Sequence, residues 1–121
     1  MKATDLMIGD KVMVKVLSQI PNTYVLHTWT ANDYYRYFQV KPIPLTPEIL
    51  EKNGFIKVNS QRYDYGYPDT DCYVKVNPKK NMIHVNGRNA NSNLYSHSFV
   101  HELQRVLRLC GLDELANNFK L

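Results

Sequence analysis

The sequence predicts an α+β protein. A small N-terminal SH3-like β-barrel or meander comes first, then a short helix, a three-stranded antiparallel sheet, and a C-terminal helix packed on that sheet. Three observations carry this expectation. Valines alternate with lysines and methionine near the N terminus, a Thr-Pro pair opens a short apolar turn after a proline-rich connector, and apolar residues recur at helical spacing from Phe99 to Cys110. At 121 residues the chain is long enough to bury a core without disulfides or a structural metal.

In "IGDKVMVKV", Gly9-Asp10 reads as a turn, and Val12, Val14 and Val16 alternate with Lys11, Met13 and Lys15. A period of two is the signature of a half-buried strand. Pro21-Asn22 marks a second turn before the run Tyr24 to Trp29, and Asn32-Asp33 a third before the run ending at Val40. Short strands joined by tight turns suggest a curled meander. Pro42 and Pro44 make an extended connector. Thr46 then reads as a helix cap, Pro47 as a first helical residue, and Asn53-Gly54 as the stop.

Three further runs, "FIKVNS", "CYVKVN" and "MIHVNG", predict the antiparallel sheet, the last two joined by the hairpin loop "NPKKN". Tyr73, Lys75 and Asn77 share one strand face, and Cys72, Val74 and Val76 the other. "NSQRYDYGYPDTD" reads as a loop between the first two strands and "NGRNANSN" as a polar connector after the third. The connector near residue 44 divides a β-barrel-like subdomain, 1–44, from an α+β subdomain, 45–121. It is too short to separate two independent bodies, so one compact unit is expected.

The segment "SHSFVHELQRVL" resembles the His-Glu-x-x-His helix of zinc proteases, with Arg105 where the second histidine would stand. Stepping about 100° per residue from His97 places Phe99, Val100, Leu103, Val106, Leu107 and Cys110 in one apolar arc. His97, His101, Arg105 and Arg108 fall on the opposite side, with Gln104 beside them. Ser96 or Ser98 is positioned to cap the start, and Gly111 to end the helix. His97 and His101 have ligand spacing but no glutamate between them, and a guanidinium repels a cation rather than binding one. The sequence therefore predicts a solvated polar stripe on a docked helix, with no metal, no catalytic residue and no cofactor assigned.

Nine tyrosines are a second feature. Tyr63, Tyr65 and Tyr67 alternate in "RYDYGYPDTD", which places them on one face of an extended segment. Core or edge packing is the first reading, protein contact the second, and base stacking the third, because Asp64, Asp69 and Asp71 repel phosphate. Cys72 and Cys110 are far apart and form no Cys-x-x-Cys, so they read as reduced core thiols. The net charge of +4 permits nucleic acid without requiring it. No run approaches the ~20 apolar residues of a membrane span, and the start lacks a signal-peptide pattern. A cytoplasmic protein without a membrane partner is expected, and no feature of the sequence assigns an oligomeric state.

In order along the chain, "LMIGDKVMV", "KPIPLTPEILEKNGF", "YVKVN…MIHVNG" and "FVHELQRVLRLCG" resemble a group of small uncharacterised proteins common in gut Bacteroidales, often in phage-like or mobile regions. The resemblance implies an accessory role in such elements and carries no catalytic residues. The leading expectation is a non-enzymatic binding or adaptor protein that contacts protein. The alternatives are nucleic-acid binding through His97, His101, Arg105 and Arg108 with Lys79 and Lys80, and a metal-dependent hydrolase built on His97, His101 and Glu102.

Overall fold

The alternation read near the N terminus becomes strand β1 (Lys11–Lys15), with Val12 and Val14 buried and Lys11, Met13 and Lys15 half exposed. The computed structural model describes residues 6–15, 24–31, 33, 40–66, 72–80, 82–87, 91–95 and 99–121; Cys72, Asn86, Gly87 and residues 91–95 are described by backbone alone. β1 pairs antiparallel with β2 (Tyr24–Thr28), Val12 opposite His27. On its other side it pairs with β3 (Val40–Lys41), Val14 opposite Val40.

The strand order is β2-β1-β3, which corrects the expected meander, and the described residues show an open sheet in place of the expected SH3-like barrel. In a meander the third strand would pair with the second. Here it adds to β1, where Val40 joins Leu6, Val12, Val14 and Trp29 in a small apolar cluster. Among the described residues no β2–β3 pairing closes the sheet.

The short helix forms as its sequence signals require. Thr46 has an extended backbone and its Oγ1 accepts the Ile49 N–H at 3.3 Å, with Pro47 opening α1 (Pro47–Lys52). Asn53 ends it and Gly54, at φ 85°, reverses the chain. The Asn53 side chain donates to Ile49 O and Lys120 O, both at 2.8 Å, and accepts the Lys120 N–H at 2.8 Å. It thereby ties the C-terminal tail to α1.

The second sheet has five strands rather than the expected three: β4 (Ile56–Lys57), β5 (Tyr63–Gly66), β6 (Cys72–Asn77), β7 (Met82–Gly87) and β8 (Asn91–Tyr95), each antiparallel to the next. The β6–β7 hairpin closes through a 3₁₀ turn at Pro78–Lys80, as the "NPKKN" loop suggested. The two extra strands lie in stretches rich in Asp, Gly, Asn and Ser, residue types with low strand propensity. Their pairing with stronger neighbours overrides that local preference.

Tyr63, Val74, Val76, Ile83 and Val85 face inward from this sheet into the main core. Over them lies α2 (Val100–Leu109), which buries Val100, Leu103, Val106 and Leu107, the predicted apolar arc. Full burial of such side chains stabilises by about 1.5–3 kcal/mol each. Leu45, Leu50 and Phe55 close one side, and Ala116 of α3 (Asp113–Asn117) with Phe119 another. The Val100 N–H donates to Ile43 O at 2.8 Å, so the proline-rich connector runs beside the helix start.

Ser96 and Ser98, the expected caps, lie outside the described residues. Phe99 takes the cap position, and Glu102 reaches back to accept the Phe99 N–H at 3.3 Å. No helix among the described residues is long and apolar enough to cross a membrane.

Candidate functional site

Much of the polar side of α2 meets the N-terminal sheet rather than water, with Arg105 left partly exposed. Gln104 is fully buried. Its Oε1 accepts the Lys11 N–H at 2.7 Å, and its Nε2 donates to Gly9 O at 2.9 Å and Ala116 O at 2.8 Å. Arg108 Nη1 donates to Asp10 Oδ1 at 2.6 Å, and Arg105 Nη2 lies 3.9 Å from Asp10 Oδ2. Asp10 is itself fully buried and also accepts the Met7 N–H at 2.9 Å.

For His101, Gln104 and Arg108 this corrects the expectation of a solvated stripe. An anionic group does meet the arginines, and it comes from the chain's own Gly9-Asp10 turn. The reason is geometric. α2 lies between the two sheets, so its apolar arc serves one and its polar arc the other. Gly9 fits this contact for two reasons: its φ is 95°, and a Cβ there would stand 2.9 Å from Arg108 Nη2.

His101 is buried at 6 % exposure, its ring stacked on Phe99 with centroids 6.0 Å apart. Arg105 is partly exposed, whereas Arg108 is mostly enclosed. His97 and Tyr67 lie outside the described residues. Glu102, the base in the hydrolase alternative, caps its own helix. His27 and His84 stand in different sheets, on β2 and β7. Among the described residues no three His, Cys, Asp or Glu are grouped to hold a metal ion.

The tyrosines of β5 turn inward. Tyr63 is in the core, and Tyr65 packs on Phe55 with ring centroids 5.4 Å apart. A half-open cavity of about 180 Å³ lies beside Tyr63, lined by Pro47, Ser60, Gln61, Pro78 and Lys79. It is smaller than the roughly 300–1,000 Å³ of most small-molecule sites.

The opposite face of the five-stranded sheet is the more distinctive surface. The register runs Ile56, Asp64, Lys75, His84, Asn93 across the five strands, so these positions share the outer face. Arg62 grips Asp64 with two hydrogen bonds, Nε to Oδ1 at 2.9 Å and Nη2 to Oδ2 at 2.7 Å. The Tyr73 hydroxyl also donates to Asp64 Oδ2, and Arg62 Nη2 donates to the Tyr73 oxygen at 2.9 Å. Lys75 Nζ stands over the Tyr73 ring, 5.0 Å from its centroid.

Burial acts to push the Asp64 carboxyl up, but the hydrogen bonds from Arg62 and Tyr73 outweigh it and hold the group below the usual carboxylate range. The same bond to Asp64, with burial, raises the Tyr73 hydroxyl. The result is a charged, hydrogen-bonded network in which Asp64 and Tyr73 are buried and Arg62 is partly exposed. At its margin Ile56 and Val58 are exposed at 65 % and 51 %.

A second carboxylate cluster closes the turn after Trp29. Asp33 Oδ2 accepts from the Thr30 N–H at 2.7 Å and the Thr30 hydroxyl at 2.8 Å, and lies 2.7 Å from His27 Nε2. Burial opposes its charge, while His27 and Thr30 together hold the carboxyl below its ordinary value.

Sequence reasoning singled out the helix stripe and the tyrosine run and missed the outer-face network and Gln104. The alternation of Tyr73, Lys75 and Asn77 was the available signal for the former. No one-dimensional signal links residue 104 to residues 9 and 11. No family model, no curated protein and no solved structure matches the chain.

Proposed function

We propose that this chain is a non-enzymatic binding protein that contacts another protein through the outer face of its five-stranded sheet, as an accessory factor acting in the cytoplasm. The supporting observation is that exposed Ile56 and Val58 stand on the same face as the partly exposed Arg62, whose guanidinium is held by the buried Asp64 and Tyr73 beneath it. Apolar side chains beside immobilised polar groups lose little conformational freedom when a partner binds. The resemblance to proteins of phage-like and mobile regions fits an accessory role.

The nucleic-acid alternative has weaker support on the α2 face, because Arg108 is committed to Asp10 and His101 is buried. The exposed Lys79 and Lys80 at the hairpin tip remain its best feature. Immobilised protein is expected to retain a defined protein partner from a lysate of its source cells, resistant to nuclease. The double variant Ile56→Glu/Val58→Glu is expected to weaken that retention at least tenfold with an unchanged far-UV spectrum. Retention that survives the double variant, or that nuclease abolishes, overturns the reading.

A further inference from the structure

Strand β4 ends the five-stranded sheet among the described residues, and its outer side carries the groups that an added strand needs. The Val58 N–H turns inward to Arg62 O at 2.9 Å. Backbone groups alternate along an antiparallel strand, so the Lys57 N–H and C=O turn outward, away from β5. Among the described residues, in the sheet order β4-β5-β6-β7-β8, no strand lies on that side. Ile56 and Val58 flank Lys57 on the outer face, both more than half exposed, and Lys57 is exposed as well. An open edge with exposed apolar residues is a template for strand addition.

We propose that an extended peptide with an acidic residue between two apolar ones docks on β4 as a sixth strand. The acidic residue sits opposite Lys57, exchanging two backbone hydrogen bonds with it and placing its carboxylate beside the ammonium. The two apolar residues lie against Ile56 and Val58. Charge selects this occupant. Lys57 is the only charged residue of β4. A second copy of this chain, paired β4 to β4 about Lys57, would set Lys57 against its own counterpart, and like charges directly opposite one another repel. A carboxylate in that position attracts instead. The inference rests on the protein-binding reading above and names the chemistry of the partner.

The test is fluorescence anisotropy with the full chain and labelled synthetic peptides at low salt. A short peptide alternating valine and glutamate is expected to bind saturably. Replacing glutamate by lysine should weaken binding about fivefold or more. Methylating the backbone nitrogen of the central glutamate, which keeps charge and apolar area but removes the pairing donor, should weaken it at least about tenfold. Lys57→Glu, at an exposed site, should invert the charge preference while the far-UV spectrum stays unchanged. Equal binding of the methylated peptide, a charge preference that survives Lys57→Glu, or no binding of the valine–glutamate peptide at millimolar concentration each overturns the proposal. If Ile56→Glu/Val58→Glu still releases a protein partner while the peptides fail to discriminate, strand addition is wrong and the binding reading stands. If both fail, the binding reading falls too.

Discussion

The five-stranded sheet lays Val74, Val76, Ile83 and Val85 under the apolar arc of α2, whereas the three-stranded sheet meets the same helix through Gln104, Arg105 and Arg108. The first contact is non-directional burial, which tolerates small shifts. The second is a set of directed bonds to one turn, Gly9-Asp10-Lys11. A typical net hydrogen bond contributes only about 0.5–1.5 kcal/mol, yet stripping one partner from a buried charged pair costs about 3–5 kcal/mol. The polar contact therefore adds modest stability but strong orientation, and it is the more fragile of the two.

Trp29 is the chain's one tryptophan and is fully buried in the small sheet's cluster. Its fluorescence reports that sheet, while far-UV circular dichroism is dominated by the larger unit. The largest effect is expected from Asp10→Ala, which leaves Arg108 enclosed without its carboxylate. It should cost about 3–5 kcal/mol, and the Trp29 transition in urea should move below the dichroism transition. Coincident transitions would show that the sheets unfold as one unit and would erase the distinction drawn between them.

Gly9→Ala comes next, at about 2 kcal/mol or more, because it combines a positive φ with crowding against Arg108. Gly111→Ala is the matched control: its φ is 77° but nothing stands near its added carbon, so about 1 kcal/mol of backbone strain is expected alone. Equal losses in the two variants would show that the close approach of Arg108 contributes nothing. Thr46→Ala removes the α1 cap and should cost about 1 kcal/mol in the dichroism transition, without advancing Trp29 ahead of it.

The last comparison is read in acid and concerns the two depressed carboxyls, one in each region. A folded-state value below the unfolded one means stability that is present above the unfolded value. It is lost as pH falls through the folded value. Both regions should therefore weaken below about pH 4. Asp33→Asn should flatten the acid dependence of the Trp29 transition, and Asp64→Asn that of the dichroism transition. The reverse assignment would place the clusters in the wrong cooperative units.

Local signals in the sequence were reliable where one residue type served one local bond. Thr46, Pro47 and Gly54 marked α1, the β1 alternation marked its buried side, and the period of α2 marked its apolar arc. The "NPKKN" hairpin followed the same logic. Strands β5 and β8 were hidden because Asp, Gly, Asn and Ser fit a strand only when a neighbour supplies the ladder. Topology was hidden as well: Val40 had to choose between β2 and β1, and the choice depended on Leu6 and Trp29. At the candidate site, Tyr73 and Lys75 were correctly placed on one face, but their link to Arg62 and Asp64 crosses strands.

By itself, the sequence determined the α+β class, the short capped helix, the β6–β7 hairpin and the amphipathic C-terminal helix, since each follows from neighbours within a few residues. Only the tertiary structure decided what the polar arc of that helix touches. Charge and period fix which residues share a face, but the partner of that face is set by which distant turn packs there. Asp10 and Arg108 are near each other in space because Val12 and Leu103 bury their apolar surface in two separate cores, a consequence of the whole fold.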